Sequence, residues 1–136
     1  MKSNVLIISV LFLVSLDVTA AINDKCLACI CQIESGCRPL KCQRDVYSDS
    51  CGYYQLKSGY WKDCGSPGGS LQACAADKSC SSKCVQAYMK RYASRCTKGR
   101  TPTCQDYARI HNGGPNGCRS SSTLGYASKI AKCYSG

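Results

Sequence analysis

The sequence predicts a single α+β domain that is mainly helical, carries a small antiparallel β-hairpin or sheet, and is rich in disulfide bridges. Three observations support this fold class. All fourteen cysteines lie in residues 26–133 of the 136-residue chain, which allows up to seven bridges. Apolar residues recur at helical spacing in several segments. The segment VYSDSCGYYQL, within residues 38–56, is instead rich in residues that favour strands.

The first twenty residues predict a secretory signal peptide that is cleaved after Ala20. Lys2 precedes an apolar run from Val5 to Leu16, and the segment ends in Val-Thr-Ala. The run is shorter than the roughly 20 residues that a membrane-spanning helix needs, which disfavours the alternative of a membrane anchor. No other segment is apolar enough to span a bilayer. We therefore expect a secreted, extracellular chain at residues 21–136 that forms one domain.

The even number of cysteines in a chain expected to be secreted predicts bridges rather than a metal site. The stretch CLACIC contains a C-x-x-C spacing, which can also bind zinc. However, the chain has a single histidine, His111, and an oxidising compartment favours bridges over thiolates. We expect no metal and no cofactor. Spacing does not determine the connectivity, but three short loops are candidates for local pairs: Cys31 to Cys37, Cys42 to Cys51, and Cys74 to Cys80.

The net charge of +10 predicts attraction to anionic surfaces. Removal of the signal peptide leaves this charge unchanged, because that segment holds one lysine and one aspartate. Bacterial walls, acidic lipids and heparin-like glycans are the candidate surfaces. Nucleic acid is a weak candidate because no RNA- or DNA-binding motif accompanies the charge. The charge alone is equally compatible with a role in solubility.

The sequence predicts several helices. The first is expected to begin at Asn23 or Asp24, either of which can cap it, and to end at Ser35-Gly36, where glycine is a stop signal. Further helices are expected at residues 71–77, 81–96, 105–111 and 122–133. Ser58 is expected to cap a short turn that reaches Trp61. Residues 65–70 and 97–103 read as loops, and residues 38–56 read as the hairpin, with the Ser-Asp-Ser triplet and Gly52 supplying a turn.

Glu34, the only glutamate in the chain, and Asp45 form a candidate catalytic pair. Glu34 lies in the last turn of the first helix, where the negative end of the helix dipole disfavours an anion. Asp45 lies at the start of the hairpin among polar residues. Glycoside hydrolysis needs one carboxyl that is protonated and one that is ionised. The spacing alone is weak support, because most carboxylates are simply solvated on the surface.

Four longer segments carry a family resemblance: CLACICQIESGC, CGYYQLKSGYWKDCG, CSSKCVQAYMKRYASRC and HNGGPNGC, at residues 26–37, 51–65, 80–96 and 111–118. Together they resemble the invertebrate-type lysozymes, and within that family they are most similar to the leech destabilases. The resemblance extends over nearly the whole chain after the signal peptide. It implies a lysozyme-like fold, secretion, and hydrolysis of the β-1,4 bond between N-acetylmuramic acid and N-acetylglucosamine in peptidoglycan. Some members of the family also cleave chitin oligosaccharides.

The resemblance assigns roles by position. Glu34 matches the proton donor of the family, and Asp45 matches its nucleophile or stabilising carboxylate. The implied substrate-binding residues are Lys57, Ser58, Gly59, Tyr60, Trp61, Lys62, Asp63, Tyr88, Tyr92, His111, Asn112 and Gly113. Aromatic faces stack on sugar rings, while asparagine, lysine and histidine bond to hydroxyl and acetamido groups. Trp61 is equally compatible with a place in the core, and the HNGG sequence with a simple helix stop.

The resemblance to the destabilases also implies a second activity, an isopeptidase that splits ε-(γ-glutamyl)-lysine cross-links, as in stabilised fibrin. The candidate residues are Ser48, Ser50, Lys57 and His111. A serine nucleophile needs a base, and a lysine can serve if burial removes its proton. On the residues alone, the favoured interpretation makes the serines turn formers and Lys57 a sugar ligand.

Two non-catalytic classes remain open on the sequence. A cationic antimicrobial protein that disrupts membranes needs the charge and no active site. A disulfide-rich inhibitor or toxin fits the cysteines, but it leaves the paired acids and the aromatic residues unexplained. The expected partners are a peptidoglycan or chitin-like oligosaccharide, an anionic bacterial surface and, for the second activity, cross-linked fibrin.

Overall fold

The computed structural model describes residues 21–44 and 47–136. The first twenty residues, Asp45 and Val46 lie outside the described residues, so the signal peptide stays a prediction. The described residues form six α-helices and two short strands: α1 Asp24–Ser35, β1 Gln43–Arg44, β2 Asp49–Ser50, α2 Ser58–Asp63, α3 Leu71–Ala75, α4 Lys78–Cys96, α5 Cys104–Gly113 and α6 Leu124–Ser135. Two 3-10 helices, Gly117–Arg119 and Ser121–Thr123, lead into α6. The mainly helical α+β class is confirmed. No helix in these ranges is both long and apolar enough to cross a membrane.

Helix α1 begins and ends as the sequence predicts. Asn23 caps it by accepting a hydrogen bond of 2.8 Å from the Cys26 backbone N–H. Gly36 ends it in the left-handed conformation, with φ of +67°, and its N–H donates to Gln32. One face of the helix is buried in the core, which leaves Glu34 half-buried in the last turn.

One predicted helix start and one predicted turn cap are wrong. Helix α4 begins at Lys78 rather than at residue 81, because Asp77 caps it by accepting from the Cys80 N–H at 2.7 Å. Ser58 is not a cap but the first residue of α2, and the cap position is held by Lys57, which makes no side-chain cap hydrogen bond. The predicted turn is therefore a short helix.

The hairpin is shorter than the strand-forming residues suggest. Strands β1 and β2 pair antiparallel over two residues each. An isolated antiparallel β-bridge, formed by backbone hydrogen bonds, joins Cys51 to Leu56. Residues 53–55, which the sequence places in a strand, form a turn instead. Tertiary contacts override the strand propensity here. The side chain of Tyr54 is buried in the helical core, and its hydroxyl forms a hydrogen bond with Ser82 on α4.

All fourteen cysteines pair, and the three predicted local bridges are confirmed. The other four bridges join distant segments: Cys26–Cys104, Cys29–Cys133, Cys64–Cys84 and Cys96–Cys118. The first two tie α1 to α5 and α1 to α6. These three helices are thereby tied to each other along the first half of α1.

The start of α5 is held by a buried polar group. Thr103 and Asp106 form a capping box, and Arg100 donates two hydrogen bonds to the Asp106 carboxylate at 2.8 and 2.9 Å. Burial alone would raise the pKa of Asp106, but the hydrogen bonds from Arg100 and Thr103 outweigh it and lower that pKa. A fixed start gives the far end of α5, where His111 lies, a defined position.

Candidate active site

A cleft of about 720 Å³ lies between the hairpin and the helices α1, α2 and α5. It gathers residues from separate parts of the chain: Glu34, Gln43, Arg44, Ser48, Ser50, Gln55, Lys57, Ser58, Gly59, Tyr60, Tyr88, His111, Asn112, Gly113 and Gly114. Eleven of these are residues that the sequence predicts for a site. Asp45 lies outside the described residues, so its role stays a prediction.

Glu34 presents its carboxyl group on the wall of this cleft. Its side chain is 19% exposed, which places the group between the core and the solvent. The Tyr126 hydroxyl donates a hydrogen bond of 3.0 Å to Oε2, and the His111 Nε2 lies 3.5 Å from the same oxygen. Oε1 has no hydrogen-bond partner among the described residues. The two oxygens therefore differ, since one is held by the protein and the other is available to a ligand.

His111 is held by hydrogen bonds at both ring nitrogens, and its side chain is 3% exposed. Nε2 lies 2.9 Å from the Tyr54 backbone oxygen, and Nδ1 lies 3.0 Å from the Tyr60 hydroxyl. A carbonyl oxygen only accepts, so Nε2 carries a hydrogen and donates it. In the neutral ring, Nδ1 then accepts from Tyr60. The pair of contacts fixes the ring beside Glu34.

Stacked tyrosines form the floor next to His111. The rings of Tyr60 and Tyr88 stack with centroids 3.7 Å apart and an interplanar angle of 6°. Tyr88 is buried, and burial raises the pKa of its hydroxyl to about 12. Burial raises the pKa of Tyr60 as well, so both hydroxyls keep their protons near neutral pH. Tyr88 packs against the inner face of Tyr60, and Tyr60 is the ring that is partly exposed.

Lys57 and Ser48 meet across the hairpin side of the cleft. The Lys57 Nζ donates to the Ser48 Oγ at 3.2 Å, and Ser50 lines the same wall. Lys57 and both serines are partly buried. Three of the residues named for a second activity thus lie together, while His111 occupies another wall of the same cleft.

Four predicted substrate-binding residues lie away from this cleft. Trp61 lines an adjoining depression of about 380 Å³, and its Nε1 donates to the Pro67 oxygen at 2.8 Å. Asp63 accepts a hydrogen bond of 3.1 Å from the Tyr92 hydroxyl, so these two side chains bond to each other. Lys62 is exposed on α2 and lines neither space. Their roles stay predictions.

Tyr126, which contacts Glu34 directly, is a site residue that the sequence does not predict. The contact joins residues 92 positions apart, so no local motif connects them. The available signal is the face of α6 on which Tyr126, Ile130 and Cys133 recur at helical spacing. That face predicts burial against another helix, but it does not identify Glu34 as the neighbour. Gln43 and Gln55 also line the cleft without having been predicted.

Known proteins resemble this chain in both sequence and fold. A protein-family model described as Destabilase matches residues 23–133. A lysozyme of Magallana gigas is 59% identical over 111 residues, which cover 82% of this chain and 80% of that protein. An invertebrate-type lysozyme of Ruditapes philippinarum is 55% identical over 113 residues, covering 82% and 81%. The crystal structure of Tapes japonica lysozyme is similar with a TM-score of 0.75 and 54% identity, covering 81% of this chain and 89% of that one.

Proposed function

We propose that this chain, which belongs to the invertebrate-type lysozyme or destabilase family, cleaves the β-1,4 bond between N-acetylmuramic acid and N-acetylglucosamine with Glu34 as general acid. Its function as a lysozyme, a glycoside hydrolase, is supported by the relatives and the structural likeness. The finer assignment depends on one observation. A half-buried carboxyl group stands in the wall of a cleft whose volume suits an oligosaccharide, with one oxygen held and the other unpartnered among the described residues.

The geometry at Glu34 supports proton donation to the glycosidic oxygen. Oε2 accepts from Tyr126, so in the protonated carboxyl the hydrogen belongs on Oε1. Transfer of that proton to the leaving oxygen breaks the bond to the anomeric carbon and leaves a sugar with oxocarbenium character. The alcohol of the neighbouring sugar then departs as a neutral group.

Asp45 is the proposed second carboxylate, which stabilises or attacks the anomeric carbon. This assignment rests on the family resemblance and on sequence position, since Arg44 and Ser48 on either side of it both line the cleft. Secretion after removal of residues 1–20 belongs to the same proposal. The seven bridges are consistent with an oxidising compartment.

The test of this function is wall lysis by Glu34→Gln and Asp45→Asn, assayed on purified peptidoglycan. We expect Glu34→Gln to fold and to lose about a hundredfold to ten-thousandfold in rate, the range that general acids contribute. Asp24→Asn is the matched control, because Asp24 is an exposed acid at the opposite end of α1. Lysis that persists in Glu34→Gln would contradict the carboxylate mechanism. Bacterial killing that persists without lysis would assign that effect to the cationic surface, which is the alternative function.

A second candidate function is the isopeptidase, favoured by the contact between Lys57 and Ser48. The Ser48 Oγ would attack the γ-glutamyl carbonyl while Lys57, 3.2 Å away, takes the hydroxyl proton. Collapse of the tetrahedral intermediate would break the isopeptide C–N bond, and the leaving ε-amine would take that proton from Lys57. Water would then hydrolyse the acyl-serine and release the γ-carboxylate. Lys57 donates in the present geometry, so it must first lose a proton to act as base. Fibrin cross-links are the proposed substrate class.

The isopeptidase is tested with a γ-glutamyl anilide and with an ε-(γ-glutamyl)-lysine peptide. We expect Ser48→Ala and Lys57→Arg to lose cleavage of both substrates, whereas Glu34→Gln retains it. Ser50→Ala is the comparison variant, since Ser50 lines the same wall but the proposed nucleophile is the Ser48 hydroxyl, to which Lys57 donates. Turnover that is unchanged in Ser48→Ala and in Lys57→Arg would discard this pair.

A further inference from the structure

We infer that Tyr126 is a positioning residue for the acid of the proposed glycosidase: its hydroxyl holds Oε2 of Glu34, so that Oε1 is the oxygen that delivers the proton. The inference rests on the proposed function and adds a residue from α6 to its machinery. The contact itself is direct, with 3.0 Å between the Tyr126 hydroxyl and Oε2.

The fold fixes Tyr126 at this place. The start of α1 meets the end of α6, where the Asn23 side chain donates to the Tyr134 hydroxyl at 2.8 Å. The end of α1 meets the start of α6 at Glu34 and Tyr126, so the two helices run antiparallel. The Cys29–Cys133 bridge locks the pair between these contacts. Tyr126 therefore reaches Glu34 from a helix that is tied covalently to the helix of the acid.

Tyr126 acts as a permanent donor rather than as a competing acid. Burial raises the pKa of its hydroxyl well above the ordinary value, and the Glu34 charge and hydrogen bond raise it further. The phenol keeps its proton throughout the range in which a lysozyme works. A donor that never ionises keeps Oε2 in the accepting role, whether Glu34 is protonated or not.

Other titratable groups also face Glu34. Within the described residues, His111 from α5 has its Nε2 3.5 Å from Oε2, and Tyr60 from α2 has a pKa that the Glu34 charge helps to raise. Arg44 and Lys57 line the same cleft from the hairpin side. The Nε2 hydrogen of His111 already points to the Tyr54 backbone oxygen at 2.9 Å. Tyr126 thus makes the shorter contact with Oε2, at 3.0 Å against 3.5 Å for His111. Its removal is expected to free the carboxyl to rotate.

The experiment compares Tyr126→Phe with Tyr134→Phe in the full chain with its bridges formed. Both substitutions remove one hydroxyl from α6 and keep the ring, but the Tyr134 hydroxyl bonds to Asn23 and does not touch Glu34. The rate of release of reducing ends from a soluble chitooligosaccharide and from peptidoglycan is measured against pH. Thermal unfolding of both variants is recorded alongside.

We expect Tyr126→Phe to lower kcat about tenfold with KM little changed, the order expected for one orienting hydrogen bond. A hydrogen bond donated to a carboxylate favours its ionised form, so its loss should move the alkaline limb of kcat/KM to higher pH. Tyr134→Phe should leave the rate and the pH profile unchanged. The pH at which kcat/KM falls on the alkaline side does not depend on the folded fraction of the sample, so it separates positioning from loss of structure.

Two outcomes would overturn the inference. The first is a Tyr126→Phe profile that coincides with the wild-type profile while Glu34→Gln is inactive, which would leave the proposed function standing without this residue. The second is a rate that falls only in proportion to the unfolded fraction, with no movement of the limb, which would make Tyr126 a purely structural residue. Activity in Glu34→Gln would instead remove the proposed function itself.

Discussion

The two walls of the cleft are built in different ways. The helical wall carries Glu34 and His111 on α1 and α5, backed by Tyr126 on α6, and long-range bridges join these helices. The hairpin wall, described at residues 42–44 and 47–57, has strands of two residues and one disulfide bridge within it, Cys42–Cys51. Its residues are mostly exposed or partly buried, whereas the His111 side chain is 3% exposed.

This difference suits the two walls to different roles. A general acid needs a fixed orientation and a controlled environment, which the bridged helices supply. A wall that faces a sugar chain needs polar side chains and room, which short strands supply. We therefore expect removal of a bridge in the helical wall to cost more stability, and removal of the bridge in the hairpin wall to cost more activity per folded molecule.

The largest expected effect is on stability, from removal of the Cys29–Cys133 bridge by alanine at both positions. With Cys26–Cys104 intact, this bridge closes a loop of roughly 30 residues, for which chain entropy predicts a loss of about 3.5 to 4 kcal/mol. Removal of Cys42–Cys51 opens a loop of nine positions and should cost about 2.5 to 3 kcal/mol. Denaturant unfolding of the two double variants measures both losses.

The same two variants separate stability from activity. Among folded molecules, the variant without Cys42–Cys51 should lose more of its kcat on chitooligosaccharide, because the residues between these cysteines include Ser48 and the proposed carboxylate Asp45. Greater loss of kcat per folded molecule in the Cys29–Cys133 variant would reverse the comparison.

A smaller effect is expected at Gly52, where the hairpin is attached to the helices. Gly52 has a φ of +74°, and a Cβ there would overlap the backbone oxygen of Ala75. Its N–H donates to the Leu40 oxygen at 2.9 Å. Gly52→Ala should therefore lower the free energy of unfolding by about 2 to 3 kcal/mol, as measured by urea denaturation.

The control for this substitution is Gly125→Ala. Gly125 lies in α6, and a Cβ added there would meet no atom within 4 Å, so alanine should raise the free energy of unfolding by up to about 1 kcal/mol. Equal effects of the two substitutions would show that the tight junction at Gly52 does not hold the hairpin.

Local chemistry is enough to predict the helix that carries the acid. The Asn23 cap and the Gly36 stop depend on neighbouring residues alone, and both are found where expected. The three short bridges could also be predicted locally, because the cysteines that they join are only six to nine positions apart. The place of Glu34 at a helix end can therefore be derived before any tertiary contact is known.

Other features depend on contacts that the sequence pattern does not contain. Residues 53–55 have strand propensity, yet burial of Tyr54 in the helical core pulls them into a turn. The contact of Tyr126 with Glu34 joins the two ends of the domain, and the long-range bridges could not be paired from spacing. Periodicity predicts which faces are buried but not which partner buries them.

Proton donation by Glu34 is tested most directly by changing the leaving group. Glu34→Gln is assayed on a chitooligosaccharide and on its dinitrophenyl glycoside, whose departing phenolate needs no proton. We predict that kcat/KM falls about a hundredfold to ten-thousandfold on the natural bond and no more than a few-fold on the aryl glycoside, because kcat/KM reports the step that breaks the glycosidic bond. Equal losses on the two substrates would contradict this role, because they would show that Glu34 serves some purpose other than protonating the leaving oxygen.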